Sequence, residues 1–174
     1  MSARRKVLLT GGAALAALAA LALTGRRCTG SGRVIEDEEN MTTHPFLQAK
    51  LTARWHTGAL EVTLFIENRS SSETGLLLRY NLPLDGSVEN NIFRGDSRDE
   101  LRYLGGYAKR KAPVLADFLK LAPGASLELV VDDLTQYYEV PRFATLRFRY
   151  EAYHTPPQAE QLYSLQSNEV EIAA

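Results

Sequence analysis

From Leu47 onward, apolar and polar residues alternate with a period of two. Leu47, Ala49, Leu51, Ala53 and Trp55 share one face and polar residues stand between them, the pattern of a half-buried strand. Thr57-Gly58 supplies a turn, and Leu60, Val62, Leu64 and Ile66 resume the alternation, which predicts a β-hairpin. Trp55 ends the apolar face and is expected to pack as a core anchor. The Ser-rich stretch Asn68 to Gly75 reads as a loop, and Leu76 to Tyr80 as a third strand. After the turn Leu82-Pro83-Leu84-Asp85-Gly86, short strands are expected around Ile92-Phe93 and over Leu101 to Leu104.

The second half keeps this period. Pro123-Gly124 marks a turn, followed by Leu127, Leu129 and Val131 in alternation. Ala144 to Tyr153 predicts a long strand, with Leu146, Phe148 and Tyr150 on one face and Arg147 and Arg149 on the other. Val170 and Ile172 suggest a closing strand, and only Val114 to Leu121 suggests a helical turn. Seven or eight short strands with turn signals between them predict an all-β fold, an antiparallel β-sandwich of immunoglobulin-like type over 47–174.

Ahead of this lies a different composition. The first 33 residues carry six Lys/Arg and no Asp or Glu, around an uncharged run from Val7 to Gly25. A basic head, an apolar middle and the small residues Ala20-Leu21-Ala22 form the layout of an export signal. Cleavage near Ala22 makes the protein periplasmic or secreted. An uncleaved run makes residues 7–25 a membrane anchor, the only membrane contact the sequence suggests. Arg4-Arg5-Lys6-Val7-Leu8-Leu9 is compatible with twin-arginine export as well as the general route. Cys28 follows Arg26-Arg27, whereas a lipidated cysteine needs a small residue before it. Residues 34–46, with Glu36-Asp37-Glu38-Glu39, read as an acidic, solvated linker.

Charge and cysteine content narrow the function. Residues 34–174 hold 14 Lys/Arg and all 21 Asp/Glu, a net charge of −7, which gives nucleic acid no basic field to bind. Cys28 is the sole cysteine, so no internal disulfide is possible and stability must come from packing and strand pairing. No cofactor is implied, and a monomer is expected. Gly95-Asp96-Ser97 reads as a polar turn rather than an esterase motif. Gly124-Ala125-Ser126 lacks the second glycine of a nucleophile elbow, and Asp96, Asp99 and Glu100 lack the ladder of a calcium loop. Asp132-Asp133 reads as a strand end.

Across residues 82–138 the chain reads Leu82-Pro83-Leu84-Asp85-Gly86, Tyr103-Leu104-Gly105, Lys109-Arg110, Pro113, Phe118, Leu121, Pro123-Gly124, Ser126, Val131-Asp132 and Tyr137-Tyr138. This order and spacing resemble the β-sandwich domain that precedes the catalytic domain in deuterolysin-type zinc metallopeptidases, over roughly residues 47–152. The resemblance implies a stand-alone relative of that accessory domain. The family's enzymes hold zinc through His-Glu-x-x-His and a downstream Asp. Here His44, His56 and His154 are the only histidines and none has that spacing, so the zinc-peptidase chemistry is not expected.

What remains is binding. Tyr103, Tyr107, Lys109, Arg110 and Lys111 form an aromatic and basic stretch within an acidic chain. Tyr and Arg favour interface hot spots, so the stretch is a candidate contact for a protein or peptide partner, a peptidase among them. In the competing reading, the two tyrosines pack at the sandwich edge and the basic side chains are merely solvated. Edge strands are a second, generic candidate for peptide pairing. The sequence therefore predicts an exported, non-enzymatic binding module, with an envelope-anchored structural protein as the alternative.

Overall fold

The computed structural model describes residues 41–95, 101–141 and 145–173. The chain divides into two units, Met1–Ile35 and Glu36–Ala174, and all described residues belong to the second. The segment read as an export signal, Cys28, Asp96, Asp99 and Glu100 lie outside them. Among the described residues, no helix is long and apolar enough to cross a membrane.

Strands β1 (Met41–Thr43), β2 (Leu47–His56), β3 (Ala59–Asn68), β4 (Gly75–Leu78), β5 (Phe93–Gly95) and β6 (Arg102–Tyr103) make the first half. The second holds β7 (Phe118–Leu121), β8 (Ser126–Val131), β9 (Tyr138–Glu139), β10 (Thr145–Tyr153), β11 (Leu162–Gln166) and β12 (Val170–Ala173). One sheet runs β2-β3-β8. In the other, β10 is central, with β5 along one edge and β11 then β12 along the opposite one. Two short pairs, β4-β7 and β6-β9, complete an all-β sandwich.

The hairpin forms as the alternation predicts. Thr57 and Gly58 both take positive φ, 48° and 87°, the primed turn whose twist matches antiparallel strands. That turn sets the register from His56↔Ala59 to Leu47↔Asn68. Leu60, Val62, Leu64 and Ile66 are then fully buried, facing Leu146, Phe148, Tyr150 and Ala152 of β10 across one core. The Arg147 and Arg149 side chains point the other way, paired with Glu171 and Glu151.

Several expectations change. Met41–Thr43 is a strand and not linker, pairing in parallel with β11, and His44 behind it is buried. The third strand stops at Leu78, and Arg79–Asn81 form a 3₁₀ turn. Over 114–121 only Leu115–Asp117 is helical; Phe118–Leu121 is a strand held by β4. Beyond the seven or eight anticipated, β9 and β11 also form. Tertiary partners decide such short segments, whose own propensities are ambiguous.

Asn68 ends β3 with its side chain fully buried. Its Nδ2 donates to Glu73 O (2.8 Å) and Leu121 O (2.9 Å), and its Oδ1 accepts from Ser70 N–H (3.0 Å). Asn68→Leu should therefore lose about 2–3 kcal/mol, because it strands buried backbone groups; urea unfolding measures this. Trp55 packs against the core, half-buried, and its buried indole Nε1–H has no partner among the described residues. Its emission should be blue-shifted, and Trp55→Ala should cost about 3 kcal/mol. Trp55→Phe should cost under about 1 kcal/mol, since no indole hydrogen bond is lost.

Candidate functional site

Strand β6 and the segment after it carry the aromatic and basic stretch. Backbone pairing of β6 with β9 places Tyr103 opposite Tyr138, and their rings tilt together at 5.2 Å. Tyr103 Oη donates to Val88 O (3.2 Å). Burial, then the neighbouring Glu89 carboxylate, raise its phenol above the ordinary tyrosine value. Tyr103 is thus half-buried scaffold and not a free contact residue. The chain turns back over its ring at Gly105, where a Cβ would collide with the phenol end of Tyr103.

Beyond that turn, every residue from Leu104 to Ala112 is exposed. Arg110 pins the middle of this segment. Its guanidinium stands 4.6 Å from the centre of the Tyr80 ring and donates to Glu89 Oε2 at 2.8 Å. A cation over an aromatic face adds attraction that an exposed ion pair alone lacks. The far end is fixed by Asp117, whose Oδ2 accepts from Val114 N–H at 2.8 Å. Burial, then the Asp117 carboxylate, raise the Tyr80 phenol above the ordinary tyrosine value, with Arg110 opposing them. Through Arg110 the segment folds back onto Tyr80 and Glu89.

Of the predicted contact residues, the structure leaves Tyr107 most open, at 87% exposure, with Lys109 and Lys111 exposed beside it. Arg102 pairs with Glu139 and Arg110 with Glu89, whereas Lys109 and Lys111 have no ionic partner among the described residues. The structure adds three residues the sequence reading missed: Leu104 at 52%, Val114 at 59% and Leu115 at 61% exposure. Of the seven exposed large hydrophobic residues among the described residues, four fall between positions 104 and 115. Leu104 before Gly105-Gly106, and Val114-Leu115 after Pro113, stand outside any alternation, and that was the available signal.

A second group of polar side chains lies inside. His154 Nδ1 accepts from Leu78 N–H (2.9 Å), so its proton sits on Nε2, 2.6 Å from Tyr150 Oη. Tyr150 in turn donates to Asn81 O (2.8 Å). His44 Nδ1 accepts from Leu47 N–H (3.2 Å), with Phe46 and Tyr163 packed around its ring. Burial lowers His44 to about 4, and burial together with nearby His44 lowers His154 to about 3. Both are neutral structural acceptors, one at the end of β1 and one at the end of β10. Among the described residues, no three His, Cys, Asp or Glu side chains converge as a metal site requires.

No family model matches the chain, and no curated protein matches it. The resemblance to the deuterolysin accessory domain is one of sequence pattern alone.

The two histidines predict the acid response. Unfolded histidine takes up its proton near pH 6.5, while folded His44 and His154 resist until about pH 4 and 3. Between these values the unfolded state binds more protons, so stability falls as pH falls. Chemical denaturation should show a loss of about 2 kcal/mol per histidine from pH 7 to pH 5. His154→Gln keeps an acceptor and should flatten that slope. A melting temperature equal at both pH values would contradict the assignment.

Proposed function

We propose that the domain is a non-enzymatic binding module of an exported protein and that the segment Leu104–Leu115 is its contact with a protein partner. The observation that carries this is the concentration of exposed apolar side chains there. Leu104, Tyr107, Val114 and Leu115 stand out on a segment whose backbone is anchored by Tyr103, Arg110 and Asp117. Anchoring limits the entropy lost on docking, so exposed apolar area converts more fully into affinity. Unpaired Lys109 and Lys111 select an acidic rim on the partner. A lipid surface suits the segment less, because the remaining charge of the domain opposes anionic headgroups.

The resemblance to a peptidase accessory domain supports a particular kind of partner, a peptidase that the module masks or escorts. The chain itself is read as a monomer when free and as hydrolysing no peptide; the second point rests on the missing His-Glu-x-x-His spacing.

A photocrosslinking residue at position 107 should yield a discrete protein adduct in cells that make the chain, and one at position 130 should not. Tyr107→Ala with Leu115→Ser should reduce the adduct formed from position 104 at least about tenfold, a hot-spot-sized loss, with an unchanged melting temperature. Lys109→Glu with Lys111→Glu should weaken it most at low salt. Arg110 is left intact because it holds the segment's shape. Equal adducts from positions 107 and 130 would refute the contact. Zinc-dependent casein hydrolysis by the purified chain would refute the non-enzymatic reading.

A further inference from the structure

The two sheets approach each other along β2 and β11, and one rung of that seam is open. Even-numbered residues of β3 bond to β8, as Asn68 N–H does to Ala125 O. Their partners on β2, the odd positions 47 to 55, therefore turn their N–H and C=O groups outward. Leu47 N–H is taken by His44 Nδ1. Leu51 is taken on both sides by the Asn168 side chain, which accepts from its N–H (2.9 Å) and donates to its C=O (3.1 Å). Ala49, between them, has no backbone partner outward among the described residues.

Strand β11 has the matching gap. Ser167 N–H turns inward to Tyr150 O, whereas Ser164 O turns outward and accepts from His44 N–H (2.8 Å). The next outward position is Gln166, and β1 has already ended at Thr43. A cleft of about 310 Å³ opens at this place, lined by residues that include His44, Phe46, Ala49, Arg69, Leu165 and Gln166.

We propose that this cleft binds the carboxyl-terminal end of a peptide against the outward backbone groups of Ala49 and Gln166, with its terminal carboxylate on Arg69. One donor and one acceptor on each wall complement a peptide backbone, not a bare anion. The outer edge of β11 already accepts an extended segment, since β1 lies on it in parallel. Two further donors select a carboxylate. Arg69 uses its Nε on Glu67 at 3.0 Å, which leaves its terminal nitrogens available. His44 carries its proton on Nε2, because Nδ1 is already an acceptor. The volume lies at the lower end for ligand pockets and suits one or two residues. The site is separate from the Leu104–Leu115 segment and does not depend on the function proposed for it.

Titration of the ¹⁵N-labelled domain with Ala-Val-Ala, as free acid and as C-terminal amide, tests this. The amide signals of Ala49 and Gln166 should shift with the free acid and saturate at millimolar peptide. The amidated peptide should bind at least about tenfold more weakly, as the loss of a charge-assisted pair implies. Arg69→Gln should weaken the free acid by a similar factor with an unchanged melting temperature, and Lys111→Gln should change nothing. Absence of shifts at Ala49 and Gln166 at millimolar peptide would overturn the site. Equal binding of acid and amide would overturn the carboxylate assignment, and shifts confined to the Leu104–Leu115 segment would place peptide binding elsewhere.

Discussion

Strand ladders in this sandwich end before the backbone groups beside them do, and side chains must take the groups left over. Buried N–H and C=O groups cannot be left unpaired without a cost of about 1–3 kcal/mol each. Asp133 Oδ1 accepts from Leu60 N–H where β8 has ended (3.3 Å), and it caps the next turn at Thr135 N–H (3.0 Å). Tyr138 Oη accepts from both Ile92 and Phe93 N–H (2.9 and 3.0 Å). His44, His154, Asn68 and Asn168 do the same at other breaks. With Cys28 alone in the sequence, no disulfide substitutes for these contacts. Polar side chains at strand ends, as much as the apolar core, fix how the sheets meet.

That constraint also separates scaffold from surface at the candidate contact. Tyr103 and Arg110 belong to the same stretch of sequence as Tyr107, Lys109 and Lys111, yet they do different work. Tyr103 packs on Tyr138, the side chain that holds the Ile92-Phe93 backbone, so its position is coupled to the core. Arg110 ties the segment to Tyr80 and Glu89 on the preceding turn. Only the remaining residues are free to vary with a partner. A rigid frame under an exposed apolar tip is also a common solution for recognition by loops.

The long alternating strands were legible because their period survives in any context: β2, β3, β8 and β10 lie where Leu47–Trp55, Leu60–Ile66, Leu127–Val131 and Leu146–Tyr150 indicate. Segments without an intrinsic period were not. Met41–Thr43 is a strand only because β11 offers an edge, and Phe118–Leu121 only because β4 does. At the site, composition revealed the basic and aromatic stretch but could not tell a tyrosine against the core from one in solvent. Tyr103 and Tyr107 are four positions apart in an irregular segment, and their different burial follows from the β6-β9 register. The open rung at Ala49 and Gln166 was invisible for the same reason, since it depends on two strands 117 residues apart that Asn168 and Leu51 bring together.

Charge and apolar area then play different parts at the Leu104–Leu115 segment. Lys109 and Lys111 are exposed, so their fields are screened within about 8 Å at physiological salt. They can orient an approaching acidic surface but hold it only weakly once docked. Binding energy must come from Leu104, Tyr107, Val114 and Leu115, whose burial scales with area and is little affected by salt. The two contributions are therefore separable: salt and Lys109 or Lys111 should govern the association rate, and the apolar four the dissociation rate. At the proposed cleft site the order reverses, because a single charge pair and a few backbone hydrogen bonds would carry the recognition while little apolar area is covered. The two proposed surfaces thus make different physical demands, and a partner selected by one has no reason to fit the other.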